Sequence, residues 1–329
     1  MSFFSILSTM LTPAPLPDAV TRHALARIGD LVDGHLVNAR GFTRVMTSPV
    51  QHALDYCNHL VTSVPGPLAI ERRAFVGDPL VHALFATGSD IDQMLGRSQA
   101  VRDFIDQAES HSAAHFYALF AARRMEKQQL GVEMLGDTVQ SDVPQTVLYF
   151  SDHTLTEPAA SLEETRQRLL SATFDSLLRT FRAHLDELRA EREGARSHLS
   201  AERGNLTALR GKMAGDEVFV QTRRIAVLDE HLREVAASLM PEAVLQALGT
   251  FLRTPEASLS LEPCSVTVDR MGVVTHDDAP SGTVDRLEFP ELIARDRRRY
   301  LVTMARIDCE EARRSIRESI ERQRRYVLI

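Results

Sequence analysis

The chain has 329 residues, of which 44% are hydrophobic and 25% charged, and its formal net charge is −7. The composition is that of an ordinary globular protein, and the length predicts two or three domains. The acidic balance argues against a molecule that attracts nucleic acid over its whole surface. The three cysteines are far apart in the sequence, which argues against a disulfide scaffold or a structural zinc site and predicts a reducing, cytoplasmic location.

The basic residues are almost all arginine, since Lys127 and Lys212 are the only lysines among 38 basic residues. Arginine recognises phosphate and carboxylate groups through paired hydrogen bonds, which is one functional interpretation. A GC-rich genome produces the same bias through its codons. We prefer this simpler interpretation, which suggests a bacterial source.

The first eleven residues are apolar, but they do not resemble a targeting or membrane segment. No basic residue precedes the run, whereas a secretory signal starts with one, and a membrane span needs about 20 apolar residues. A docked N-terminal segment is therefore expected. The alternative is a weak membrane-surface anchor formed by four apolar side chains, Phe3, Phe4, Ile6 and Leu7. No transmembrane segment is predicted elsewhere.

Residues 1–156 predict a helical domain with a small antiparallel β element. Prolines and glycines divide residues 12–128 into helices. The strongest of these predictions is a helix over residues 112–127, which carries apolar residues at helical spacing: Ala113, Phe116, Tyr117, Phe120 and Ala121. Residues 130–150 then alternate and contain β-branched and aromatic side chains, which predicts two or three short antiparallel strands.

Residues 161–253 predict a long antiparallel helical hairpin. Ser161 and Glu164 have the spacing of a capping box, which marks the start of a helix. Eleven positions then follow the alternating four- and three-residue spacing of a coiled coil, and nine of them are apolar, the exceptions being Arg192 and Glu202: Phe174, Leu178, Phe181, Leu185, Leu188, Ala195, Leu199, Leu206 and Leu209. Gly211 and Gly215 predict a turn, and the return arm repeats the same spacing from Val218 to Leu239.

The turn position also predicts the register of the hairpin. Antiparallel partners in an intrachain hairpin have residue numbers that sum to about 427 when the turn lies between Met213 and Ala214. Arg192 would then lie beside Glu234, and Glu202 beside Arg224. A coiled coil formed between two chains is the alternative.

Residues 257–329 predict a small α+β unit. Alternating segments over residues 258–261, 265–269, 273–276, 287–289 and 300–307 predict strands, and residues 309–324 predict a last helix. Since β regions flank the hairpin on both sides in the sequence, their union in one sheet is a topological hypothesis. The expected fold class is therefore mainly α, with small β elements at both ends of the chain.

A metal site is one hypothesis for function. His111 and His115 are four residues apart on the predicted helix, so both imidazoles would point to one side, and Asp152 and His153 could add ligands. A bare i, i+4 pair is a weak signal, and histidines at the surface are the commoner outcome. Acidic residues near the strands, Asp137, Asp142 and Asp152, suggest acid–base work or simply turns.

The C-terminal arginines are the most interaction-like feature. From Pro290 onward there are eleven arginines against seven acidic residues. Six of the arginines, Arg297, Arg298, Arg299, Arg313, Arg314 and Arg317, form a patch suited to phosphates or an acidic protein surface. Pairing with nearby glutamates on the same helix would instead make this a solvated, self-neutralised face.

These observations favour a non-catalytic cytoplasmic interaction or assembly protein that uses the hairpin and the arginine-rich C-terminal unit. Its expected partner is another protein or a second copy of the chain. The first alternative is a metal- or carboxylate-dependent enzyme with a site around His111, His115, Asp152 and His153. The second is a nucleic-acid binder that uses the C-terminal arginines. The sequence contains no common nucleotide-binding or nucleophile motif, so no cofactor is predicted.

Overall fold

The computed structural model describes residues 18–135, 138–209, 215–275, 284–294 and 298–327. The apolar N-terminal run therefore lies outside the described residues. The chain forms two compact units, each assembled from two separate stretches. We call Met1–Tyr56 with Thr173–Pro255 the hairpin unit, and Cys57–Ala172 with Glu256–Ile329 the sheet unit. The division into residues 1–156, 161–253 and 257–329 follows other boundaries and stays a prediction.

In chain order, the helices among the described residues are α1 (Ala19–Leu31), α2 (Phe42–Ser63), α3 (Arg72–Gly77), α4 (Pro79–Leu84), α5 (Gly88–Arg97), α6 (Gln99–Ile105), α7 (Ala108–Ser112), α8 (Leu162–Leu209), α9 (Gly215–Ser238), α10 (Pro241–Arg253) and α11 (Cys309–Val327). The strands are β1 (Leu68–Ala69), β2 (His115–Leu135), β3 (Thr138–Ala159), β4 (Leu259–Asp269), β5 (Val284–Ala294) and β6 (Arg299–Asp308). Short 3-10 turns lie at Leu36–Asn38 and Pro255–Ala257.

The sheet unit is built on one six-stranded sheet with the strand order β3-β2-β6-β5-β4. All neighbours in this order are antiparallel, and β1 adds to β6 in parallel. The prediction of a mainly α chain with small β elements is therefore wrong: 61% of the described residues are helical, but the sheet is large and its strands β2 and β3 are long. The hypothesis that the two β regions join is confirmed, because β2 pairs directly with β6.

The predicted helix over residues 112–127 is also wrong, because most of this segment belongs to β2. Phe116 and Phe120 are four residues apart, a spacing that suits one helix face and equally one strand face, where the period is two. Ala118 and Ala122 distinguish the strand from the helix. Both are fully buried together with the two phenylalanines, which is the alternation of a strand.

Strand β3 is bent by three irregularities in its pairing with β2. Each coincides with a residue of positive φ: Asp142 (φ 61°), Asp152 (φ 53°) and Glu157 (φ 52°). An extra residue in left-handed conformation is the signature of a β-bulge, which increases local twist. Asp142 and Asp152, two of the acidic residues considered for chemistry, therefore have a clear structural role in shaping this strand.

Both faces of the sheet are covered within the sheet unit. One face packs against apolar side chains of α4, α5, α6 and α11, with Phe104 and Phe116 in ring contact at 5.1 Å between centroids. On the other face, buried Met304 of β6 packs with Val61 and Leu169. A large antiparallel sheet with two covered faces has few exposed positions at its centre, so β6 is buried over five consecutive residues, Leu301–Ala305, and lacks the simple apolar–polar alternation.

In the hairpin unit, α8 and α9 pair within the chain. Their seam is apolar as predicted, with Leu199 buried on α8 and Val235 buried on α9, while Phe181, nearer the start of α8, packs against Phe251 of α10. The predicted neighbours Glu202 and Arg224 form an ion pair of 3.3 Å, which confirms the register at this point. The predicted turn residue Gly211 lies outside the described residues.

The other predicted charge pair of the hairpin does not form. Arg192 is exposed, and among the described ion pairs none joins it to Glu234. A neighbouring pair joins the arms at this level instead, since His231 lies 3.2 Å from the Glu191 carboxylate. The seam therefore tolerates Arg192 by leaving its long side chain in solvent, where a charge needs no partner.

Candidate functional site

A charged groove of about 630 Å³ lies between α3 and α11 in the sheet unit. We call it the arginine groove. Charged side chains alone line it, four acidic and four basic: Glu71, Asp308, Glu310, Glu311, Arg72, Arg73, Arg314 and Arg317. Two of the predicted interaction residues, Arg314 and Arg317, are thus placed together beside arginines that the sequence analysis did not single out.

Helix α11 is held against α5 by close backbone packing. A side-chain carbon on Gly96 would lie 2.6 Å from the Ser315 carbonyl oxygen and 2.8 Å from the Ser319 Cβ, which is closer than real contacts allow. Glycine on α5 facing serines on α11 therefore permits the approach. Ser315 and Ser319 repeat at i, i+4, so they form one small-residue face of α11. The remaining faces of the helix can carry its charged side chains.

A buried carboxylate anchors one wall of the arginine groove. Asp92 of α5 is 2% exposed and accepts hydrogen bonds from the Arg72 guanidinium, with Nε at 2.7 Å, and from the Ser315 hydroxyl at 3.0 Å. The carboxylate of Asp92 raises the pKa of Arg72 through these hydrogen bonds. The Nε and Nη2 groups of Arg72 are therefore engaged by Asp92, while the side chain as a whole is 54% exposed.

Burial raises the pKa of Glu311, whose side chain is 11% exposed. Its carboxylate accepts a hydrogen bond from the Arg72 backbone N–H at 3.4 Å and lies 3.6 Å from Arg314. Arg73 and Arg317, by contrast, form no ion pair with any described residue and are exposed. The arginine groove thus offers two unpaired guanidinium groups beside acidic side chains. It is complementary to a surface that carries both charges.

The other predicted interaction residues lie in different surroundings. Arg313 donates to the Ser110 carbonyl at 2.6 Å and pairs with Glu310 at 2.6 Å. Arg299 pairs with Glu291 at 2.9 Å. Arg298 lies just before β6, and Arg297 lies outside the described residues. The six arginines therefore do not form one patch among the described residues; Arg314 and Arg317 share a groove.

A buried ionic cluster was missed by the sequence analysis. Glu291 of β5 is 1% exposed and is held between Arg124 and Arg299, each with a nitrogen 2.9 Å from a carboxylate oxygen. The Cys264 thiol lies 3.2 Å from the same Arg124 guanidinium. Burial, followed by the charge of Glu291, raises the pKa of this thiol. Cys264 is therefore a poor nucleophile near neutral pH, because little thiolate forms.

The histidines of the metal hypothesis are separated by the fold. His111 lies in α7, which ends at Ser112, and His115 begins β2, so the two do not share a helix face. The side chain of His111 lies outside the described residues. His153 neighbours Thr154, whose β2 partner is Ala121, six residues or roughly 20 Å along the strand from His115. Among the described residues, no three His, Cys, Asp or Glu side chains come together as a metal site.

His153 instead packs against aromatic side chains of the sheet unit. Its Nε2 lies 2.6 Å from the Leu84 carbonyl oxygen, and its ring stacks on Phe85 with centroids 4.7 Å apart. Burial lowers the pKa of His153. The residue also borders a groove of about 650 Å³ between β3, α5 and the start of α6, which includes Asp90, Arg97 and Phe150. The metal site at His111, His115 and His153 stays a prediction.

Comparison with known proteins supplied no family: no family model matches the chain, and neither a curated protein nor a solved structure shows significant similarity to it.

No single described helix is long and apolar enough to cross a membrane. One consecutive pair, Glu217–Ser238 with Pro241–Arg253, passes by length and composition when both helices are taken together, and it is bent by 66°.

Proposed function

We propose that this chain is a non-catalytic interaction or assembly protein that binds a protein partner through its helical hairpin and the arginine groove. The observation that carries the proposal is the outer face of α9, which we define as Phe219, Val220 and Val227. These side chains are 70%, 65% and 64% exposed, respectively. Large apolar side chains in water favour association, at about 25 cal/mol for each Å² that a partner covers.

The geometry of the hairpin explains why this face is left open. Seam positions Val218 and Ile225 of α9 are half-buried, which is expected where only one partner helix packs. Val220 and Val227 each follow a seam residue by two positions, so they lie about 200° around the helix axis from it. The intrachain pairing of α8 and α9 therefore cannot cover Val220 and Val227, and Phe219, at the flank of the seam, is left 70% exposed.

The arginine groove supports the same kind of function by a different route. Arg73 and Arg317 are unpaired among the described residues, while the carboxylates beside them give the groove a mixed charge. Arginine is enriched in protein interfaces, and complementary charges select partners and speed their encounter. A folded protein surface with acidic and basic side chains fits this groove better than a purely anionic ligand, which Glu71 and Glu310 would repel.

The test is recovery of a stoichiometric protein partner on the tagged full-length chain. Phe219→Ser/Val220→Ser/Val227→Ser should lose the partner, and Arg73→Glu/Arg317→Glu should weaken its retention, most strongly at low salt. The matched control is Val20→Ser/Val45→Ser, which also removes exposed apolar side chains from the hairpin unit and should retain the partner. The absence of any stoichiometric partner, or full retention by both variants, would overturn the proposal.

A further inference from the structure

The β2–β3 hairpin extends well beyond the rest of the sheet. Pairing between the two strands continues to Leu135 and Thr138, but β6 accompanies β2 only over His115–Arg123. We call residues 124–135 of β2 and 138–145 of β3 the β-arm. The backbone edge of β2 in the β-arm has no strand partner among the described residues. In the described part of the chain, therefore, no strand occupies its outward N–H and C=O groups, which is the arrangement that permits strand addition.

The two edges of the β-arm differ in how they are protected. On β3, Pro144 lacks an N–H, and the bulge at Asp142 twists the strand. Further along, β3 is covered: the Leu148 N–H donates to the Gly272 carbonyl at 2.8 Å, and the Val274 N–H to the Thr146 carbonyl at 2.8 Å. The β2 edge contains neither a proline nor a positive-φ residue over 124–135. Proteins use prolines and bulges to block strand addition, so β2 is the open edge.

The β-arm also exposes apolar side chains. Leu130 and Val132 are 68% and 60% exposed, and their spacing of two places them on one face of β2. An isolated two-stranded ribbon is marginally stable in water, whereas three or more strands with an apolar face are stable. Further strands on the β2 edge would extend this face and complete the backbone hydrogen bonds, as in β-strand addition.

We propose that the β2 edge pairs antiparallel with the β2 edge of a second copy of this chain, forming a four-stranded sheet centred on Leu130. The open edge runs from 124 to 135, so complete overlap of two such edges requires a two-fold axis near Leu130. This register sets Lys127 opposite position 133, which is a glutamate, in both halves. Opposite charges at directly paired positions stabilise a sheet, and a two-fold axis closes the assembly at two copies.

The second copy is favoured over an unrelated strand because the edge complements itself. In this register Leu130 lies opposite Leu130 of the second copy, and Lys127 lies opposite the acidic position 133. No other sequence is needed to complete these pairs. The interface shares no residue with the outer face of α9 or with the arginine groove. It therefore goes beyond the proposed function and can fail or stand independently of it.

The register can be tested by oxidative cross-linking of the full chain. Directly opposite residues have Cα atoms about 5 Å apart, which is within disulfide range. Leu130→Cys should therefore form a covalent dimer. Lys127→Cys should not, because its counterpart would lie six residues or about 20 Å away. Wild-type protein is the blank, since Cys57 and Cys309 are buried and Cys264 is half-buried. Equal cross-linking at positions 127 and 130 would overturn the register.

The assembly itself can be tested by light scattering between about 1 and 100 µM, where small interfaces associate. Wild-type protein should approach twice the 36.7 kDa chain mass, and Leu130→Lys/Val132→Lys should stay at one. Val76→Lys is the matched control: Val76 is 87% exposed on α3, and its substitution should leave the dimer intact. A monomeric wild type, or a dimeric double-lysine variant, would overturn the proposal. The triple serine variant of α9 should also remain dimeric; its dissociation would assign the contact to the hairpin.

Discussion

The chain contains two long hairpins, one helical and one of β-strands, and they differ in how well the sequence predicts them. In α8 and α9, the seam positions recur over many heptads, and buried residues such as Leu185 and Leu199 follow them. In β2, a few aromatic residues at a spacing of four suggested a helix. The comparison teaches that a repeated period identifies an element, whereas a short run compatible with two periods does not.

The two hairpins also leave different groups unpartnered. Each arm of the helical hairpin satisfies its own backbone hydrogen bonds, so only apolar side chains such as Phe219 remain to be covered. Each strand of the β-arm depends on a neighbour for half of its backbone groups. The helical hairpin therefore favours a partner chosen by side-chain shape, and the β-arm favours a partner that supplies a strand.

The largest expected effect tests the strand assignment of β2. Phe120→Ala should lower the free energy of unfolding of the sheet unit by about 3–5 kcal/mol, because the ring is fully buried between sheet and helices. Hydrogen–deuterium exchange of the β2 amides measures the loss. Tyr149→Ala, at an exposed aromatic position of β3, should cost much less. Similar losses from the two substitutions would contradict the observed alternation.

A somewhat smaller effect is expected in the seam of the helical hairpin. Leu199→Ala should lower the local free energy of unfolding of α8 and α9 by about 2–3 kcal/mol, because this buried leucine is covered by one partner helix. Exchange of the α9 amides reports the change. Val227→Ala on the outer face should alter it by less than about 0.5 kcal/mol. If both positions behaved alike, the seam would be wrongly placed.

The next effect concerns pH and the sheet unit. Burial lowers the pKa of His153, so the unfolded chain takes up a proton on this residue more readily than the folded chain. The stabilisation is fully present above the ordinary histidine pKa of about 6.5 and is lost as the pH falls through the folded pKa. His153→Gln, which retains a donor for the Leu84 carbonyl, should reduce this loss in urea unfolding. A pH dependence of unfolding that is the same in the wild type and in His153→Gln would contradict this role of the residue.

The smallest effect refines the register of the helical hairpin. Hydrogen bonding from Gln221, followed by the charges of Arg224 and His198, lowers the pKa of Glu202. Gln221→Ala should therefore raise this pKa most, and Arg224→Gln should raise it less, as measured by NMR titration of the carboxyl carbon. Arg203→Gln serves as a control, because Arg203 pairs with Asp229 at 2.8 Å. An ordinary glutamate pKa in the wild type would contradict the pairing of the two arms.

Much of the C-terminal part of the chain could be predicted from the sequence. The strand expected over residues 300–307 is β6, and the helix expected over 309–324 lies within α11. The union of both β regions was a hypothesis based on chain order and could not be derived from pattern. Strand pairing between β2 and β6 joins residues almost 200 positions apart, and no local preference records such a contact.

The candidate site was predictable only in part. Arg314 and Arg317 could be identified as charged residues on a helix, but Arg72 and Arg73 enter the groove from a distant stretch of sequence. The cluster of Arg124, Glu291 and Cys264 could not be predicted either, because its members are also far apart in the sequence. The metal hypothesis depended on a helix that would carry both His111 and His115, and the change from helix to strand between them removes that geometry.

The sequence by itself therefore determined the helical hairpin, its seam and the contact between Glu202 and Arg224. These follow from a periodic pattern that each helix needs in order to bury its apolar side against a neighbour close in sequence. Tertiary structure alone decided the extent of the sheet, the burial of Glu291 and the open edge of β2. Strands form their hydrogen bonds with segments far away in sequence. The length of a strand and the pairing of its edges therefore depend on which segments the fold places beside it.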